Sequence, residues 1–69
     1  MMTLSAWKIN RILKERNLTP QYLKKANIAP SIVDDIAAGN NVQTMDFEPV
    51  AKIGLLLKVT LADITQTLG

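Results

Sequence analysis

The segment LTPQYLKKANIAPSIVDDIAAGNN, residues 18–41, constrains the fold more than any other part of the chain. Thr19-Pro20 is a helix start, with Thr as cap and Pro at the first helical position, where its missing N–H costs nothing. Leu23 and Ala26 then face inward, and Lys24 and Lys25 face water. Asn27 takes the left-handed conformation that a tight turn needs. Ile28 packs into the core across that turn, and a second helix begins near Pro30 or Ser31. Ile32, Val33 and Ile36 form its buried stripe, Gly39 stops it, and Asn40 and Asn41 follow as a polar loop. The spacing predicts two short helices packed across one another over a tight turn, a helix-turn-helix.

The flanking sequence supplies three more helices. Ser5 is an N-cap, and Leu4 and Ile9 occupy the two positions of a hydrophobic staple. Ile9, Ile12 and Leu13, with Trp7 or Arg16, recur at helical spacing, and Asn17 stops that helix. Lys8, Arg11 and Lys14 fall along one exposed side. Asp46 is the expected cap of a fourth helix, with Phe47, Val50, Ile53, Leu56 and Leu57 as its apolar stripe and Lys58 closing it. Pro49 is tolerated in its first turn. Thr60-Leu61-Ala62-Asp63 has the form of a capping box for a short fifth helix, with Leu61, Ile64 and Leu68 apolar. Leu57 to Leu61 also alternates like a strand; a turn between helices is preferred, since no second strand is evident to pair with it.

The 69 residues make one domain, 1–69, and a chain this short is marginal unless its core is well packed or it associates. Its apolar fraction of 48% is enough for a core. Without Cys or His, disulfides and thiolate or imidazole metal sites are excluded, and the acidic residues are not spaced as a calcium loop. No cofactor or metal is expected. Up to Ala29, six basic residues face Glu15 alone, a balance of +5; from Pro30 onward, Lys52 and Lys58 face five acids, a balance of −3. A basic first half attracts phosphates and an acidic second half attracts a basic partner; two ordinary solvated faces explain the same asymmetry. No signal peptide or membrane span is visible, so a cytoplasmic protein is the expectation.

Leu18-Thr19, Leu23, the series Ile28, Val33, Ile36 and Gly39, Lys52-Ile53, and the run from Leu57 to Ile64 together carry a resemblance. The chain resembles the Cro and phage-repressor (Xre-type) helix-turn-helix family from about Ile9 to Ile64. The run Leu57-Lys58-Val59-Thr60-Leu61-Ala62-Asp63-Ile64 is similar to the family's L-G-V-S-L-x-x-L ending, with Lys58 where Gly is usual. The resemblance implies an all-α fold: a compact five-helix, lambda-repressor-like DNA-binding domain with its helix-turn-helix at helices two and three. It implies a transcriptional regulator that binds double-stranded operator DNA as a homodimer. Base reading would then fall to Pro30, Ser31, Asp34 and Asp35 on the third helix. Phosphate contacts would fall to Asn40 and Asn41 after Gly39 and to Thr19 and Gln21 at the start of helix two. This chain departs from the family pattern in being one residue shorter between Leu18 and Ile28, and in carrying Pro20, Pro30 and two adjacent acids on the reading helix.

Each of these residues also has a plainer role. Ser31 is either a base or phosphate donor or a helix cap. Asp34 and Asp35 read cytosine, bind a basic partner, or solubilise their helix. Lys24 and Lys25 contact phosphate or are simply solvated, and Asn40 and Asn41 grip phosphate or make a turn. Trp7 is expected in the core or at a dimer contact rather than as a base-stacking platform, because no other aromatic flanks it. Tyr22 is either a phosphate ligand or a half-exposed packing residue. Dimerisation would use the fifth helix or exposed apolar residues such as Leu55, Leu61 or Leu68. An enzyme is not expected, since there is no His, Cys or Gly-rich phosphate loop. The competing function is a helix-turn-helix used as an antirepressor- or antitoxin-like module that docks its acidic third helix on a basic protein. The two readings separate on whether Lys24, Lys25, Arg11 or Lys14 flank that helix.

Overall fold

The computed structural model describes residues 2–66. The element order is β1 (Met2–Leu4), α1 (Ala6–Glu15), α2 (Gln21–Lys25), α3 (Pro30–Ala37), β2 (Val42–Thr44), α4 (Glu48–Leu57) and α5 (Leu61–Ile64). The five expected helices are present in order. The two strands are an addition to the all-α expectation: they pair antiparallel, Met2 opposite Thr44 and Leu4 opposite Val42. Strands this short carry no period of their own in a sequence. Their pairing brings the chain start to the loop after α3. On its other side β1 receives the chain after α5, through a bridge from Leu4 to Thr65 and a bond from Gln66 N–H to Thr3 O of 2.9 Å.

One core joins all five helices. Leu4, Ile9, Leu13, Leu23, Ile28, Val33, Ile36, Val50, Ile53, Leu57 and Ile64 are buried in a single cluster. These are the residues that helical spacing places inward, except Leu4, which enters from β1, and Ile28, which enters from the turn between α2 and α3. Deleting any one of them removes a side chain that close packing cannot replace, which costs roughly 2–5 kcal/mol. That is a large share of the few kcal/mol by which a domain of this size is stable.

The helix ends follow their residues. Ser5 caps α1, its Oγ accepting the Lys8 N–H at 3.3 Å. Asn17, Asn27 and Lys58 take the left-handed conformation at φ of 57°, 66° and 57°, and Gly39 does so at 85°. Thr60 and Asp63 form the expected capping box of α5, and residues 58–60 are a turn rather than a strand.

Four local expectations are corrected. Asp46 does not cap α4; its N–H instead bonds to Thr44 Oγ1 at 3.1 Å, and the helix opens one residue later, after Phe47. Phe47 therefore lies before the apolar stripe begins and is half exposed. Thr19 gives α2 no side-chain cap, and Pro20 precedes that helix in helical conformation; the Thr19 carbonyl accepts the Tyr22 N–H at 2.9 Å. Lys8 leaves the exposed row of α1: its Nζ donates to Ala62 O at 3.1 Å and Thr65 O at 2.9 Å, satisfying carbonyls at the end of α5. Leu68 lies outside the described residues. No helix among the described residues is long and apolar enough to cross a membrane.

Candidate nucleic-acid interface

The surface formed by α2, the turn over residues 26–29 and α3 holds most of the residues expected to touch DNA. α2 is only five residues long and is anchored by Leu23, which is buried. The Ala26 and Asn27 N–H groups bond back to Leu23 O and Lys24 O, so Asn27 turns the chain and Ile28 drops into the core. Pro30 then opens α3 at a position where no intrahelical N–H is needed. Val33 and Ile36 hold α3 against the core, which leaves Pro30, Ser31, Asp34 and Asp35 exposed.

The charges on this surface are arranged across the two helices. Lys24 Nζ lies 3.0 Å from Asp34 Oδ1, with 34% of the lysine side chain and 68% of the aspartate side chain exposed. Asp35 has no ion pair or side-chain hydrogen bond among the described residues. Lys25 and Gln21 on α2, and Thr19 before it, are exposed. Tyr22 is at the margin of exposure, at 37%.

At the far end of α3, Ala38 and Gly39 close the helix, and Asn40 N–H bonds to Asp35 O at 2.8 Å. Asn40 itself is exposed. Asn41 is differently placed from a free phosphate ligand. Its Oδ1 accepts the Ala6 N–H at 3.0 Å, and its Nδ2 donates to Gln66 Oε1 at 2.7 Å. Both functional atoms of that amide already have partners, one at the start of α1 and one after α5.

From α1, Arg11 and Lys14 were expected on an exposed side, whereas the roles of Asn10 and Trp7 were not. Asn10 Nδ2 donates to Ile36 O at 2.7 Å, fixing α1 to the last turn of α3. Trp7, expected in the core or at a contact, is 67% exposed, and the Arg11 guanidinium sits 5.6 Å from its ring centroid. Arg11 also pairs with Glu15 at 3.1 Å. Trp7, Arg11 and Lys14 line an open groove that reaches Gly39. In the sequence this groove is signalled by the i, i+4 spacing of Trp7, Arg11 and Glu15 and by the three-residue spacing of Arg11 and Lys14. Among the described residues no three acidic side chains come together as a metal site would require.

Comparison with family models, with curated proteins and with solved structures finds no match to this chain.

Proposed function

We propose that this protein is a small sequence-specific DNA-binding transcriptional regulator of the phage-repressor type, with a lambda-repressor-like fold. In this reading α3 enters the major groove, Pro30, Ser31 and Asp35 face base edges with Asp34 beside them, and α2 with the loop after Gly39 follows the phosphates. The observation that carries it is the Lys24–Asp34 ion pair across α2 and α3. An acidic reading helix repels the phosphate backbone unless cations share its surface, and Lys24 supplies one in direct contact. Arg11 and Lys14 add two more beside Gly39.

Two copies would bind a palindromic site, with their α3 helices about 34 Å apart in successive major grooves. Leu55, 80% exposed, and Leu61, 38% exposed, supply apolar surface for the partner copy. The competing reading, docking on a basic protein, draws on Asp35, which is exposed and has no ion pair among the described residues.

Selection from a random duplex library at low and moderate salt separates the two. Enrichment of a symmetric motif supports the regulator. Folded protein that retains no duplex at either salt moves α3 to protein binding.

A further inference from the structure

We propose that the two adjacent aspartates of α3 have separate jobs: Lys24 of α2 holds Asp34 in place, and Asp35, one turn after Ser31, selects cytosine in the bound DNA. This inference rests on the DNA reading above and adds a base identity to it.

Neighbouring helical residues point about 100° apart, so Asp34 and Asp35 cannot serve the same partner. Asp34 is turned toward α2, where Lys24 Nζ meets it at 3.0 Å. Lys24 follows the fully buried Leu23, and its side chain is the more enclosed of the pair, so the lysine fixes the aspartate rather than the reverse. Asp35 stands one step round the helix, exposed and with no side-chain partner among the described residues. Ser31 lies four residues before it on the same outward row, and the small, exposed Ala38 follows it.

A carboxylate is an acceptor only. In the major groove guanine offers N7 and O6, and thymine offers O4, all acceptors that repel it. Adenine offers its N6 donor beside the N7 acceptor, so a carboxylate gains one contact and meets one repulsion. Cytosine offers the N4 donor without an acceptor of its own beside it. No Lys or Arg lies on α3 to read guanine instead. Discrimination of this kind works as much by rejecting the wrong bases as by binding the right one.

The experiment is duplex-library selection with the full chain, its Asp35→Asn variant and its Asp34→Asn variant, each checked for helical content. Wild type is expected to enrich cytosine at one position in each half-site. Asp35→Asn supplies a donor beside its acceptor, matching adenine, and is expected to convert that position to adenine with the rest of the motif kept. Its affinity for the wild-type motif should fall about tenfold or more. Asp34→Asn is expected to leave the base at that position unchanged. The inference is overturned if Asp35→Asn enriches the wild-type motif, or if Asp34→Asn is the variant that switches the base. A wild-type chain that enriches no motif overturns the DNA reading itself, and this inference with it.

Discussion

Asn41 Oδ1 accepts the backbone N–H of Ala6 across 35 residues of chain, which ties the loop after α3 to the first turn of α1. The first N–H groups of a helix have no intrahelical partner, and a buried donor left unpaired is expensive. Ser5 serves the Lys8 N–H and Asn41 serves the Ala6 N–H, so the two caps divide the helix start between them. Asn41→Ala should destabilise the fold by about 1 kcal/mol. Asn41→Asp keeps the acceptor, adds a negative charge at the helix start and loses only the bond to Gln66, so it should cost less. Chemical denaturation of the two variants measures the difference, with Asn40→Ala as the exposed control. Equal losses for all three would mean that the Ala6 bond contributes nothing.

Lys58 carries a cost that a glycine would remove. It ends α4 at φ 57°, ψ 48°, where a Cβ crowds the backbone. Its N–H and that of Val59 bond to Leu55 O and Gly54 O, so the conformation is fixed by the helix end and not by the lysine side chain. Lys58→Gly should stabilise by about 0.5–1 kcal/mol, after allowance for the more flexible unfolded chain. A melting temperature raised by a few degrees, roughly 4 °C or so, is the expected reading. Asn17→Gly and Asn27→Gly should gain less, because asparagine tolerates this conformation. A lower melting temperature for Lys58→Gly would contradict the strain argument.

Positive-φ residues and buried stripes were the parts of this fold that local sequence makes legible. Asn27, Ile28, Pro30, Val33, Ile36 and Gly39 each have a reason to be where they are that involves only near neighbours, and each takes its expected place. What escaped depends on distant partners. β1 and β2 are three residues each and exist because the core brings residues 2–4 beside 42–44. Lys8 looks like any exposed helix lysine until α5 offers it two carbonyls. Asn41 and Asn40 are indistinguishable by type and both are exposed, yet one is bonded at both ends of its amide and the other has no side-chain hydrogen bond among the described residues. The Lys24–Asp34 pair is of the same kind: both residues stood out in the sequence, but only the packing of α2 on α3 joins them.

Acid should loosen the end of α4 and the start of α5 through Asp63. Its carboxyl accepts the Thr60 N–H and the Thr60 hydroxyl, each at 2.9 Å. The Thr60 backbone bond first, then the Thr60 side chain, and then the charge of Lys8 hold it below its ordinary value of 3.8. A carboxyl with a depressed folded value adds stability that is fully present above 3.8 and is lost as pH falls through the folded value. Asp63→Asn should therefore be less stable than wild type at neutral pH, and the gap should narrow as pH falls below 3.8. Urea midpoints of both proteins over a pH series test this. A gap that stays constant into strong acid would show that the charge of Asp63 plays no part.

If α3 enters DNA as proposed, Lys25 and Lys24, adjacent on α2, should behave differently there. Lys25 is exposed and has no ion pair among the described residues, so its replacement removes one phosphate contact at most. Each phosphate neutralised contributes about 0.9 to the slope of log affinity against log salt, so Lys25→Ala should flatten that slope by about one and weaken all sequences alike. Lys24→Ala removes a cation and also leaves Asp34 uncompensated on α3. Its loss at low salt should exceed that of Lys25→Ala, and Asp34→Asn in the same chain should recover part of it. Affinities over a salt series for the four proteins give both quantities. If Asp34→Asn recovers nothing, Lys24 acts only as a phosphate contact and the ion pair does not shape the interface.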